Sequence, residues 1–250
     1  MTYMKKFLIC ILCLAATRSF AQIRLGVEGG STTANYWQTD GYGGLGTGLS
    51  SWPITGFYAG LVGEIDLGYS GLVLQPALLY YEDGSHLGNS IGFIDNGPAT
   101  IDYSNTHIKV YSLRLPVNFV YKFNVTDKIK VMGGLGPYIA KTLSGTEKGF
   151  WEGSTEDANG NFTFAGGGIN NKIQVSNGYS YAVGGTSRIA PYDIGGDILL
   201  GAEYKKIQFT INYSRGFSRM YRTTYANCGN FAWNLGFAYM IFGHDRKPKL

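Results

Sequence analysis

The sequence predicts an all-β fold, an eight-stranded antiparallel transmembrane up-and-down β-barrel, on three observations. Eight segments alternate apolar and polar residues with a period of two. One face of each segment is uncharged and the other is rich in small polar residues. The connections between segments alternate short and long. Composition agrees. Of 250 residues, 37 are Gly, 19 Tyr and 14 Phe, and only 15% are charged, against about 25% in soluble domains. Such a chain suits strands and turns rather than a helix bundle. Its aromatic content argues against disorder.

Residues 1–21 read as an export signal. Lys5 and Lys6 precede an apolar run of ten, Phe7 to Ala16, and Ser19-Phe20-Ala21 offers small residues for cleavage before Gln22. The run is shorter than the roughly 20 residues of a spanning helix. Removing Lys5, Lys6 and Arg18 from the 21 basic residues leaves 18 against 17 acids. No basic stripe then remains for nucleic acid. Cys228 is the one cysteine left, so no internal disulfide is expected.

The segments follow in chain order. Ile23, Leu25 and Val27 oppose Arg24, Gly26 and Glu28. Phe57, Leu61, Ile65 and Leu67 oppose Tyr58, Gly60, Glu64 and Asp66. Leu72, Leu74, Leu78 and Tyr80 oppose Gln75, Ala77 and Tyr81. Tyr111, Leu113, Leu115, Val117, Phe119 and Tyr121 oppose Ser112, Arg114, Asn118 and Lys122. Ile129, Val131, Leu135 and Ile139 oppose Lys130, Met132, Gly134 and Tyr138. Ile194, Ile198, Leu200 and Tyr204 oppose Asp193, Asp197, Leu199 and Glu203. Ile207, Phe209, Ile211 and Tyr213 oppose Gln208, Thr210, Asn212 and Ser214. Trp233, Leu235, Phe237, Tyr239 and Ile241 oppose Asn234, Gly236, Ala238 and Met240.

A soluble barrel or sandwich also alternates, with its apolar face inward. The content of the faces decides between them. The apolar face carries no charge, as a lipid-facing surface requires, where one Lys or Arg costs about 2–4 kcal/mol at the midplane. The other face suits the crowded interior of a small barrel. Tyr80, Tyr111, Tyr121, Tyr204, Tyr213 and Trp233 sit near segment ends, as aromatic girdles do. Residues 68–71, 124–128 and 205–206 are short turns, whereas 30–56, 82–108, 142–192 and 215–231 are long. That order predicts periplasmic termini and long extracellular loops in a bacterial outer membrane. Residues 162–183 still alternate and predict a hairpin above the membrane. The barrel domain is expected over 22–242, with a short periplasmic tail over 243–250.

Several stretches resemble the PorT-type outer-membrane β-barrel family: LVLQPALLYYEDGS at 72–85, SLRLPVNFVYKF at 112–123, GGLGPYIAKTLSG at 133–145, DIGGDILLGAEYKKIQFTINYSRGFSRM at 193–220 and FAYMIF at 237–242. The resemblance implies the same fold and place. The family is known for these more than for a common activity, although the member that names it takes part in secretion of surface proteases. One departure is the polar stretch Gly243–Leu250 after Phe242, where such barrels usually end on an aromatic residue.

Few residues carry a motif of chemistry. Gly41-Tyr42-Gly43-Gly44-Leu45-Gly46 has the spacing of a phosphate loop but no helix pattern after it. Asp157-Ala158-Asn159-Gly160-Asn161 starts like a calcium loop and lacks the acid at the twelfth position. His107 falls at the outer end of a strand, as in barrel deacylases, yet Lys109 stands where they carry a serine. Interfacial contact with lipid phosphates is the plainer expectation for both. No catalytic residue, cofactor or metal ligand is therefore assigned. Arg114, Glu28, Glu64 and Asp197 are expected near mid-barrel as a structural polar network closing the lumen. The expected role is a non-catalytic one in structure, adhesion, secretion or assembly. The alternatives are a lipid A-modifying enzyme and a narrow gated channel. Expected partners are outer-membrane lipid and lipopolysaccharide, the barrel assembly machinery, and an extracellular or secretion-system protein.

Overall fold

The computed structural model of the chain describes residues 23–41, 48–69, 71–93, 100–156, 159–177, 187–222 and 226–243. The expected export signal, most of the Gly-rich run at 41–46, Asp157-Ala158 and the tail from 244 lie outside the described residues. The strands are β1 (Ile23–Gly41), β2 (Gly48–Trp52), β3 (Ile54–Asp66), β4 (Leu72–Phe93), β5 (Thr100–Asn124), β6 (Ile129–Glu156), β7 (Phe162–Val175), β8 (Arg188–Ile189), β9 (Tyr192–Tyr204), β10 (Ile207–Gly216), β11 (Tyr221–Arg222) and β12 (Ala226–Phe242).

Eight of these form a closed ring. β1, β3, β4, β5, β6, β9, β10 and β12 pair in that order, each antiparallel to the next, and β12 returns to β1. One end of the ring is finished by tight turns. Gly68 and Gly71 take the positive φ values of 82° and 83° between β3 and β4, a conformation that favours glycine.

The structure corrects the expected long loops. β1, β4, β5, β6 and β12 run far past their apolar stretches, so much of 30–41, 82–93, 100–108, 142–156 and 226–231 is strand. β5 and β6 reach 25 and 28 residues, where a tilted spanning strand needs only about 9–11. Beyond the ring, β7 pairs antiparallel with the outer part of β6 as a hairpin. β2 pairs with β4, while β8 and β11 bridge β7 to β12.

The two faces separate cleanly. Side chains of the apolar series point away from the ring and are exposed, among them Leu61, Leu135, Ile198, Leu200 and Leu235, each at least 60%. Their neighbours of opposite parity are buried inside. Packing inside is tight enough to need glycine beside the large rings. A Cβ on Gly195 would lie 2.4 Å from the Tyr138 ring, and one on Gly236 would lie 2.3 Å from the Tyr58 hydroxyl.

Candidate functional site

The interior is filled in layers. At the tight-turn end, Arg24 of β1 donates to Glu64 of β3 at 2.9 Å and to Glu203 of β9 at 3.0 Å. Lys122 of β5 bonds both carboxylates. Gln208 of β10 donates to Glu64 at 2.7 Å and to Glu203 at 2.8 Å, Gln75 of β4 to Glu64 at 3.2 Å, and Lys130 of β6 stands 3.6 Å from Glu203. Seven ring strands thus meet in one charged knot, buried except for Lys130 at 19% exposure.

The next layer holds Arg114, which is ion-paired to Asp197. Its guanidinium lies 3.5 Å from the centroid of the Tyr138 ring and 4.9 Å from that of Tyr81, close enough for cation–π attraction. Tyr58 donates to Glu28 at 3.4 Å and stacks on Tyr81 at 5.6 Å. A cavity of about 20 Å³ remains between Glu28, Tyr58, Arg114, Asn118, Asp197 and Asn212, room for little more than a water. Further out, Tyr138 donates to Asp193 at 2.8 Å and Asn230 to Asp83 at 2.9 Å. Above them Tyr36, Ile108, Val110, Ile173, Ile189, Met220 and Cys228 pack together as a buried apolar plug.

The four expected residues therefore do not form one network. Arg114 and Asp197 are partners, and Glu28 lines the same cavity. Glu64 belongs to the tight-turn layer, because it sits opposite Arg24, the second residue of β1. Tyr58, Tyr81 and Tyr138 complete the middle layer. Their signal in the sequence is a large ring on the polar face of a strand.

Cys228 falls within 215–231, expected as a long loop, and the structure corrects this. It is a residue of β12 with no exposure, and burial pushes its thiol up to about 11. A membrane-impermeant maleimide is expected to leave it unlabelled in the folded protein at neutral pH, and to label it once denatured. Quantitative labelling of the folded protein by mass spectrometry would contradict this packing.

The outer face carries a different arrangement. Two levels of exposed or half-buried aromatic residues bound the apolar band. Tyr80 stacks on Tyr111 at 6.1 Å and Tyr213 meets Trp233 at 4.9 Å on one side, with Tyr121, Tyr204 and Tyr239 exposed on the other. Just beyond Tyr80 and Tyr111, Lys109 pairs with Glu82 at 2.6 Å, and this hydrogen bond holds the ammonium above its ordinary value. His86 and His107 stack at 4.0 Å. Desolvation, then His86 and Lys109, hold the His107 imidazole below its ordinary range.

Comparison with known proteins bears on this geometry. The family described as outer membrane protein beta-barrel domain matches residues 19–222. The chain belongs to that family. The ring is thus that of an outer-membrane β-barrel protein. Among solved structures, the barrel is similar to Neisserial surface protein A, at 14% identity over 87% of this chain and 97% of that one, TM-score 0.38. It is also similar to Ail, the attachment invasion locus protein of Yersinia pestis (9% identity, 88% and 100% covered, TM-score 0.31). The translocator domain of the autotransporter NalP from Neisseria meningitidis gives 11% identity, 96% of each chain covered and a TM-score of 0.28. Likeness of this degree says nothing of role. No curated protein matches the barrel.

Proposed function

We propose that the protein is a non-catalytic, PorT-type, eight-stranded up-and-down barrel that holds a β-sheet platform outside the bacterial cell for contact with other surfaces or proteins. Residues 22–242 form the barrel, the tight turns and both termini are periplasmic, and the long-strand end is extracellular. One observation carries the reading: among the described residues the charged knot, the Arg114 layer and the apolar plug fill the bore, while five of its strands continue past the outer aromatic level. This filling by Arg24, Arg114 and the apolar plug disfavours the channel. One of these strands, β6, forms a hairpin with β7, where Phe150, Phe162 and Phe164 are exposed at 42%, 51% and 79%. Exposed aromatic clusters mark contact surfaces rather than solvated ones.

The test is to replace residues 150–168 by a short Gly-rich turn and to measure adhesion of cells displaying each form. Heat-dependent migration on gels reports whether the barrel still folds. Adhesion is expected to fall to the level of cells lacking the protein, with the barrel intact. Unchanged adhesion with an intact barrel would sink the reading. A fall in secretion of other surface proteins instead would assign the secretion-associated role.

A further inference from the structure

We infer that one wall of the barrel, the outward face of β4, β5, β6 and β7 just beyond the outer aromatic level, is a binding site for the phosphate groups of anionic outer-leaflet lipid. The inference rests on the membrane reading above and adds to it a defined site. His86 and His107 are directly opposite each other, and Lys148 is opposite His107 on the next strand. One row nearer the bilayer, Lys109, Thr146 and Lys172 are successive cross-strand partners. Lys109, Lys148 and Lys172 are all exposed. Opposed residues in a sheet lie about 5 Å apart, so these cations share a patch of headgroup size.

A break in the sheet makes the patch. Ser112 pairs with Thr142 but Tyr111 pairs with Ser144, so Leu143 is an extra, bulged residue in β6. Alternation carried on from Ile139 and Lys141 would turn Glu147 outward beside His107. The bulge reverses the parity. Lys148 now faces out, and Glu147 faces in, 8% exposed and bonded to Ser187. Bulges commonly re-aim side chains in this way.

Charge and depth suit a phosphorylated headgroup. Among described side chains on this wall, the acids are Glu82, which is buried against Lys109, and Glu152, four residues beyond Lys148 on β6. Cations therefore outnumber acids even with neutral imidazoles. Directly below stand Tyr80 and Tyr111, the stacked pair of the aromatic level, so the cations fall where headgroups lie and not among acyl chains. Basic clusters at that depth recognise anionic lipid headgroups.

The test uses the full mature chain refolded into phosphatidylcholine vesicles, with urea unfolding followed as lipopolysaccharide is added. Specific binding to the folded state raises the unfolding midpoint. The midpoint is expected to rise for the wild type and for Lys128→Gln/Lys206→Gln at the opposite end. The variant His107→Gln/Lys148→Gln/Lys172→Gln, which leaves the Lys109–Glu82 pair in place, is expected to bind about tenfold more weakly. An equal response of the two variants overturns the site. A rise of the same size with inorganic phosphate alone overturns the lipid as its ligand. Insertion into phosphatidylcholine without any response to lipopolysaccharide overturns the site and spares the membrane reading. Failure to insert at all overturns both.

Discussion

Replacing Glu203 by Leu is expected to destabilise the folded barrel by about 3–5 kcal/mol, the range for removing one partner of a buried ion pair. Glu203 accepts from Arg24, Lys122 and Gln208 and lies near Lys130. Without it, the buried cations Arg24 and Lys122 share the single carboxylate Glu64. Their side chains are 7% and 5% exposed, so little solvent reaches them to replace what is lost. Unfolding in urea from lipid vesicles measures the change, and the slope of the transition shows whether the unfolded state has changed as well. Glu203→Gln keeps the shape and two lone pairs and is expected to lose less. A shift below about 1 kcal/mol for the Leu variant would mean that the knot is hydrated, and the closed-bore reading would go with it.

The second large effect lies on the opposite face. Leu235 is 60% exposed and stands midway along the apolar band, between Trp233 and Tyr239 of β12. In water, exchanging an exposed Leu for Arg would be nearly neutral. In lipid the same exchange costs about 2–4 kcal/mol at the midplane and little near the interfaces. Leu235→Arg is therefore expected to destabilise the vesicle-inserted protein by that amount, while Tyr239→Arg near the rim loses far less. Equal, small effects at both depths would show that this face does not meet hydrocarbon.

The faces were legible in the sequence because lipid imposes a one-sided rule on every spanning residue. Leu61, Leu135 and Leu235 could be assigned from parity alone, and their exposure in the folded chain follows that assignment. The rule ends at the aromatic level. Beyond it both sides of a strand meet polar groups, so Ser31 and Thr33 on β1, or Thr106 and Lys148 on β5 and β6, no longer alternate in hydropathy although the strands continue. That is why hydropathy alone makes these strand ends look like loops. Depth inside the bore was less legible still. It depends on how far each strand is staggered against the next, and stagger comes from closing the ring rather than from any one segment. Glu64 looked central within its own segment, yet pairing with β1 sets it beside Arg24. The bulge at Leu143 had no marker either, and it decides which of Glu147 and Lys148 meets the outside.

The charged knot also bears on how the barrel can be made. Arg24 and Glu203 are 179 residues apart, so their bond waits until nearly the whole chain has been delivered. Contacts of such long range slow folding. A half-built sheet of β1 to β5 in the bilayer would hold Arg24 and Lys122 with the single carboxylate Glu64 between them, leaving one positive charge uncompensated, a heavy penalty in hydrocarbon. Partial sheets are therefore high-energy states, and insertion and closure become a single concerted event. A slip of one residue between neighbouring strands would turn the same cations onto the acyl chains. The knot thus works as a checkpoint on assembly, passed only by the ring whose strands all stand in the correct stagger.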